Sequence, residues 1–502
     1  MEINLVSGDI TKAEVDALIV NLFEGLKQPG GATHAVDKAL NGAISNLITE
    51  GELKGELNQV AVIHTFGRIS ARRVIVVGLG KEEEFTLDRV RQVTATGLRK
   101  ARDLGAKRVG TILHGAGVAG FDPGIASGAL VEGAILGLYK FDRYTKREES
   151  KVEELLLIEI DEGKIRRMAE GVERGRILAE AQNLTRELVN EPGNNMTPSI
   201  LTERAGEVAS LYGLRIDVLE RQDLERLGAK AFLAVAQGSD EPCKLIVLRY
   251  EPPDVEEKVA LVGKGITFDT GGISLKRPEK MDEMKGDMAG GAAVIGAMQA
   301  IARLKPKLGV FGIVPAAENM PGGHALRPGD VIGSLSGKTI EVISTDAEGR
   351  LILADALSYA RKLGAGRMID MATLTTGCIV ALGKITAAIL GTNQELIDLA
   401  LEVSHQTGER MWQLPLFDEY FEKIKSDIAD MKNSGGREAS AITASIFLKQ
   451  FVQDTPWVHI DIAGKEFADE EKGYLVKGAT GFGTRSLVEI VMRMRKGRGT
   501  RS

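Results

Sequence analysis

The chain is organised around the stretch TIEVISTDAEGRLILADAL, residues 339–357. Its first five residues are mostly β-branched and predict a strand, and the residues after Arg350 have the periodicity of a helix. Asp346, Glu348 and Arg350 therefore lie where a strand gives way to a helix, the place at which open α/β sheets bind ligands. In extended backbone the two carboxylates would point to one side, and a divalent cation would relieve their repulsion.

A second stretch, KVALVGKGITFDTGG at residues 258–272, adds charged side chains after another predicted strand. Its paired glycines would let the backbone approach a ligand closely. With the residues that follow, the two stretches supply the acidic side chains Asp269, Asp287, Asp346 and Glu348 and the cationic side chains Lys264, Lys276 and Arg350. Each aspartate taken alone could cap a helix or a turn. Four carboxylates together favour one or two divalent ions such as Zn²⁺ or Mn²⁺.

Three motifs in this region resemble the signature of leucyl aminopeptidases, the dinuclear-metal peptidase family also called cytosol aminopeptidases. They are GKGITFDTGG at 263–272, MKGDM at 284–288 and TDAEGRL at 345–351. Further matches lie at 318–321, 327–330, 372–375 and 477–481. The resemblance covers roughly the last 320 residues, a size that suits one large α/β domain.

The resemblance implies a role for each metal ligand. Asp269 and Glu348 would bridge two divalent ions, Mn²⁺ or Zn²⁺, and Asp346 would complete one of the two metal sites. Lys264 and Asp287 would complete the other, with the lysine bound as its neutral amine because a nearby dication depresses its pKa. The two ions would share and acidify a bridging water.

The resemblance also implies two catalytic residues that are not ligands. Lys276 would stay charged and stabilise the oxyanion, and Arg350 would hold a bicarbonate ion that carries the proton to the leaving amine. The expected activity is release of N-terminal amino acids, leucine-like ones preferred, from peptides. The family forms hexamers, so we expect a homo-hexamer.

Composition and motifs exclude several other classes of protein. The chain is 43% hydrophobic and 27% charged, as in ordinary soluble proteins, and its net charge of −6 argues against a dedicated nucleic-acid binder. Neither a secretion signal nor an apolar run of the roughly 18 residues that span a membrane is present. We therefore expect a cytoplasmic protein without a membrane partner. No His-Glu-x-x-His or Gly-x-Ser-x-Gly motif occurs, which excludes a helical zinc protease and a serine hydrolase of those types.

We expect an α/β protein of two domains. Residues 1–165 alternate strand and helix signals and resemble a macrodomain, residues 166–189 read as a linker helix, and residues 190–502 form the catalytic domain. That domain should contain a mostly parallel central sheet, with strands at about 231–236, 244–250, 258–263, 309–315, 339–343, 367–371, 386–390 and 457–462. The alternative function is nucleotide or DNA binding on the same scaffold, for which Asp9 and Asn21 are the residues to test.

The chain departs from the family pattern at a few positions beside the ligands. Ser344 stands where the family usually has asparagine, and Thr376 and Gly377 replace a usual Gly-Ala pair. Ser440 lies where the family often has glycine. The change at Ser344 could alter the hydrogen bonding of its loop but leaves the ligands intact. By resemblance, the segment with Thr376 and Gly377 lines the pocket for the first side chain, and the change at Ser440 could reshape the wall of that pocket, so these departures bear on the preference for leucine.

Overall fold

The structure is a computed structural model that describes residues 1–115, 120–145, 151–253 and 255–494. The chain divides into two compact units. The first contains Met1–Glu180 and Asp469–Lys477, and the second contains Ala181–Ala468 and the residues from Gly478 onward. Within the described ranges, no helix is both long enough and apolar enough to cross a bilayer.

The first unit is built on a six-stranded sheet in the order β1-β6-β5-β2-β4-β3, in which β3 alone of the described strands runs antiparallel. The strands are β1 Glu2–Ser7, β2 Ala17–Leu22, β3 Val60–His64, β4 Arg73–Gly78, β5 Arg108–Thr111 and β6 Glu154–Glu159. The helices are α1 Gly31–Ala39, α2 Ala43–Thr49, α3 Leu87–Asp103 and α4 Pro123–Gly137, and α5 Glu162–Asn190 begins in this unit and ends beyond its boundary at Glu180. Apolar clusters cover the sheet on both faces, as the continuous apolar runs of parallel strands require.

The second unit is built on a nine-stranded sheet in the order β16-β15-β18-β14-β9-β11-β8-β7, with β10 paired to β11. Its strands are β7 Arg215–Leu219, β8 Lys244–Tyr250, β9 Lys258–Gly263, β10 Gly265–Asp269, β11 Gly309–Asn319, β14 Arg367–Ala372, β15 Ala387–Gly391, β16 Met411–Gln413 and β18 Trp457–Asp461. Five of the eight described strand pairs are parallel, which confirms the mostly parallel sheet.

Helices and two small sheets complete the second unit. The helices are α6 Pro198–Tyr212, α7 Arg221–Leu227, α8 Lys230–Ala236, α9 Ala289–Leu304, α10 Gly349–Lys362, α11 Thr376–Leu382, α12 Gln394–Thr407, α13 Ser440–Val452 and α14 Thr484–Arg493. The small sheets are β12 Val331–Gly333, β13 Thr339–Glu341 and β17 Met431–Lys432, and the pair β19 Phe467–Ala468 and β20 Gly478–Ala479. The core packs α8, α10 and α13 against the central sheet.

Three local expectations were wrong. Residues 231–236, expected as a strand, are the helix α8. The strand β13 before the TDAEGRL motif belongs to the three-stranded sheet, not to the central one. Asp346 lies in a turn and Glu348 has helical backbone angles at the start of α10, so the two carboxylates do not stand on one extended strand.

Candidate metal centre

Lys264 lies at the centre of a buried cluster of carboxylates. It follows directly after β9, and its backbone is held between Met371 and Gly291 by hydrogen bonds of 3.1 and 2.7 Å. Its Nζ lies 2.8 Å from Asp287 Oδ1 and 2.7 Å from Glu348 Oε1. Gly349 leaves room for the Lys264 side chain, because a Cβ at position 349 would lie within 3.0 Å of three Lys264 side-chain atoms.

The loop after β14 fixes Lys264 and Asp287 together. The carbonyl of Thr373 accepts a hydrogen bond of 3.0 Å from Lys264 Nζ, and the Thr373 hydroxyl donates one of 2.7 Å to Asp287 Oδ1. Asp461, fully buried, in turn accepts hydrogen bonds from the backbone N–H of Leu374 and from the hydroxyl of Thr375. The loop is thus tied both to the cluster and to the end of β18.

Asp269 ends β10 and faces a second lysine. Its Oδ1 accepts hydrogen bonds from the backbone N–H of Gly271 and from Asn319 Nδ2, each 2.8 Å long. Its Oδ2 lies 2.8 Å from Lys276 Nζ. The turn that brings Lys276 back is possible because Gly271 has φ of +87°, a conformation that favours glycine.

The turn before α10 brings in the remaining carboxylates. Asp346 pairs with Lys276, and the oxygens of Asp269, Asp346 and Glu348 lie within 4.8 Å of one another. Thr345 anchors the turn, because its hydroxyl donates to the Gly271 carbonyl at 2.6 Å. The structure therefore brings together all four predicted carboxylates and both predicted lysines.

The charges in the cluster change the pKa values of its members. Burial alone would lower the pKa of Lys264, but the carboxylates of Asp287, Glu348 and Asp269 raise it above its usual value. Burial and the neighbouring charge of Glu348 raise the pKa of Asp269 to about 6, despite Lys276 and Lys264. Burial likewise raises the pKa of Asp287 well above the usual value for aspartate. The pKa of Glu348, by contrast, is lowered by Lys264 and Lys276 against the effect of burial.

The donor set fits divalent metal ions. Four carboxyl groups face only two ammonium groups, so ionisation of all four leaves a net negative charge that a cation can offset. Asp287 Oδ2 and Glu348 Oε1 each lie 2.7 Å from Lys264 Nζ, and both are buried with no further hydrogen-bond partner in the described part of the chain. Buried oxygens with free lone pairs beside further carboxylates are what a divalent cation needs.

Arg350 stands beside the cluster rather than in it. It lies in the first turn of α10, is 6% exposed, and donates from Nη1 to the backbone carbonyl of Asn433 at 2.8 Å. Its Nε is buried and has no hydrogen-bond partner among the described residues. Burial lowers the pKa of Arg350 to about 10, although Glu348, Asp461 and Asp346 act in the opposite direction.

Sequence reasoning missed three residues that hold the cluster in place: Asn319, Thr373 and Asn433. Asn319 links Asp269 to the Thr345 carbonyl, at 2.8 and 3.1 Å. Both Asn319 and Thr373 lie within segments that resemble the family, so their presence in those segments was a signal. Asn433 had a weaker one, because it stands before Ser-Gly-Gly, a sequence typical of turns.

The residues suggested for nucleotide binding line a cavity of about 700 Å³ in the first unit. Asp9 follows β1, Asn21 lies in β2, and Gly31 begins α1. Asp9 accepts hydrogen bonds from the backbone N–H and the hydroxyl of Thr11. The Asn21 amide pairs with the ring of buried His114 at 3.0 Å. Both side chains therefore have partners within the fold itself.

Comparison with known proteins agrees with the peptidase interpretation. The catalytic-domain profile of the cytosol aminopeptidase family matches residues 183–488, and the N-terminal-domain profile matches residues 19–148. A probable cytosol aminopeptidase of Alkaliphilus metalliredigens is 44% identical over 502 residues, covering 99% of this chain and all of that protein. One of Solibacter usitatus is 44% identical over 494 residues, covering 98% of this chain and 99% of that protein.

Solved structures give the same assignment. A mutant of tomato leucine aminopeptidase matches with a TM-score of 0.88 and 32% identity, over 98% of this chain and 97% of that one. The bottromycin maturation enzyme BotP in complex with Mn matches with a TM-score of 0.85 and 34% identity, over 95% of this chain and 99% of that one. These relatives give no support to nucleotide or DNA binding as the main function. The chain belongs to the cytosol aminopeptidase family and is, like that family, a metal-dependent aminopeptidase.

Proposed function

We propose that the protein releases N-terminal amino acids from short peptides, with a preference for leucine-like first residues, by means of two bound divalent ions. The observation that carries this proposal is the cluster of four carboxylates, three of them buried, with only two ammonium groups among them. Mn²⁺ and Zn²⁺ are the proposed ions, and the Mn complex of the related BotP favours the first. Two such ions can acidify a shared water and polarise a carbonyl.

We assign the metal ligands from the resemblance to the family, and the closeness of these side chains in the cluster supports the assignment. Asp269 and Glu348 would serve both ions, with Asp346 at one and Lys264 and Asp287 at the other. In the metal-free protein Lys264 is protonated, because the carboxylates around it raise its pKa. Binding of a metal at its Nζ therefore requires loss of that proton, and a neighbouring dication favours the loss.

Lys276 is the proposed electrostatic catalyst. It is 24% exposed at its side chain, so it can reach a bound peptide while it stays beside Asp269 and Asp346. Its pKa is raised by these carboxylates against the effect of burial, so it is charged at neutral pH. An ammonium group held there would stabilise the negative charge that develops on the scissile carbonyl oxygen.

Arg350 is the proposed site for a bicarbonate ion. Its Nη1 is bound to a backbone carbonyl, whereas its Nε is buried without a partner in the described structure. A buried guanidinium N–H that lacks an acceptor is a costly arrangement unless an anion occupies the place. The anion would carry a proton from the attacking water to the leaving amine.

Three broader features belong to the same proposal. We assign residues 1–165 to a macrodomain-like domain, 166–189 to a linker helix and 190–502 to the catalytic domain.

The active form would be a homo-hexamer, and the protein would act in the cytoplasm on peptide substrates. Size-exclusion chromatography with light scattering measures the assembly directly, and a monomer would contradict the hexamer.

The specificity for the N-terminus can be tested with paired peptides. The metal-loaded protein should release leucine from a Leu-initiated tripeptide and leave the same peptide intact when its amine is acetylated. Amino acid analysis over time would show release only from the first position. Cleavage of the acetylated peptide at an internal bond would contradict the aminopeptidase assignment.

A further inference from the structure

Asn433 binds the turn that carries Asp346 and Glu348. It follows directly after β17, where its backbone N–H donates to the Glu341 carbonyl at 2.9 Å, and it is fully buried. Its side-chain Oδ1 accepts hydrogen bonds from the backbone N–H of Ile343 at 2.7 Å and of Ser344 at 3.3 Å. The side-chain oxygen of Asn433 thus accepts hydrogen bonds from two successive backbone N–H groups at the start of the turn.

The same side chain also holds the far side of the turn. Its Nδ2 donates to the carbonyls of Ser344 at 2.7 Å and of Ala347 at 3.5 Å. The backbone carbonyl of Asn433 accepts the hydrogen bond from Arg350 Nη1. One buried residue therefore has contacts at four places between residues 343 and 350.

These contacts matter because Asp346 does little to fix its own position. Its side chain is 39% exposed, and it forms an ion pair with Lys276, which is itself partly exposed. The turn is held on one side by Thr345 through Gly271 and Ser274. On the other side the amide of Asn433 provides the hydrogen bonds.

We propose that Asn433 is a positioning residue that sets the spacing of the Asp346 and Glu348 carboxylates for metal binding. This inference rests on the proposed two-metal function. Groups that orient metal ligands typically contribute about 10–100-fold to metal affinity or activity. Loss of the amide would leave N–H and carbonyl groups of the partly buried turn without their partners, so the turn would relax away from its metal-binding shape.

The test is titration of metal-stripped protein with Mn²⁺ by calorimetry, for wild type and Asn433→Ala. We expect the dissociation constant of the variant to rise about 10-fold or more. In a parallel assay of leucine p-nitroanilide hydrolysis, the Mn²⁺ concentration at half-maximal activity should rise similarly, and high Mn²⁺ should recover most of the activity. A loss that came from misfolding would lower the maximum without moving that midpoint.

Asn393→Ala is the matched control. Asn393 caps α12 by accepting one hydrogen bond from the Leu396 N–H at 2.8 Å, so its loss removes a structural amide away from the ligands. Its Mn²⁺ titration should match that of wild type. Asn433→Ser, which loses less volume, provides the same comparison if Asn433→Ala does not fold.

The outcomes separate the two proposals. Wild-type protein that binds no Mn²⁺ and hydrolyses nothing would overturn the two-metal function and this inference together. Wild type that binds Mn²⁺, with Asn433 variants that bind equally well and show an unchanged activity midpoint, would overturn the positioning role alone. A shifted midpoint in the Asn433 variants but not in Asn393→Ala would support it.

Discussion

Ser440 fills the space that a side chain at position 377 would need. A Cβ placed on Gly377 would overlap Ser440 Oγ and lie 3.2 Å from the backbone nitrogen of Ala441. Gly377 is in the first turn of α11 and Ser440 begins α13, so the two helices touch through this pair. Gly377 and Ser440, which both depart from the family pattern, therefore form a single packing contact.

Gly377→Ala should therefore destabilise the protein, because the new methyl group overlaps Ser440. Overpacking of this kind costs about 1–3 kcal/mol, and thermal unfolding measures it. The double variant Gly377→Ala with Ser440→Gly should recover most of the loss. If the single and double variants unfold at the same temperature, the two positions are not coupled. Comparison of kcat/KM for leucyl, methionyl and phenylalanyl substrates would show whether the pair also affects selectivity.

Lys276→Ala should lower kcat far more than it changes KM. A preorganised group that stabilises developing charge contributes about 10²–10³-fold to kcat, and Lys276 stands beside the carboxylates that would hold the metals. Steady-state kinetics at saturating Mn²⁺ measures the effect. Lys280→Ala is a suitable control, because Lys280 is 66% exposed and pairs with Glu283 at the surface. Equal kinetics for the two variants would contradict the role given to Lys276.

Asp355 should make stability depend on pH. It is 2% exposed and accepts hydrogen bonds from the backbone N–H of Phe232 and Leu335, yet burial raises its pKa to about 7. Since this folded-state pKa exceeds the unfolded value, its contribution to stability is full below about pH 4 and is lost as pH rises through about 7.

Wild type should therefore lose about 3 kcal/mol of stability relative to Asp355→Asn between pH 5 and pH 8. The asparagine variant carries a constant offset from its altered hydrogen bonds, so the change with pH is the quantity to measure. Denaturant unfolding of both proteins at several pH values would give it. A difference that stays constant across this range would show that Asp355 does not titrate there.

The segments that carry the clustered carboxylates were predictable because their chemistry is local in sequence. Glycine-flanked carboxylates after the apolar strand β9 and before the helix α10 indicate a ligand site, and this pattern can be read from residues that are close in sequence. The helix α8 was missed for a physical reason. Its sequence KAFLAVA is apolar almost throughout, and a short helix buried on most sides has no periodicity that separates it from a buried strand.

The residues that hold the ligands in place could not be deduced because they come from distant parts of the chain. Thr373 meets Lys264 across 109 residues of sequence, and Asn433 meets Ser344 across 89. Nor could the sequence tell that β13 joins a small separate sheet, since an apolar strand pattern does not say which partner it pairs with. The contacts of Thr373 and Asn433 and the sheet to which β13 belongs both depend on pairing between distant residues, not on local sequence preference.

The most direct test of the account is hydrolysis of leucine p-nitroanilide by metal-stripped protein, with and without added Mn²⁺ or Zn²⁺, beside an Asp346→Ala variant. We expect no activity without metal, restored activity with it, and little or none in the variant, which lacks one of the clustered carboxylates. Wild-type protein that stays inactive with every metal and several aminoacyl substrates, or a variant as active as wild type, would contradict the metal-dependent aminopeptidase mechanism proposed for this site.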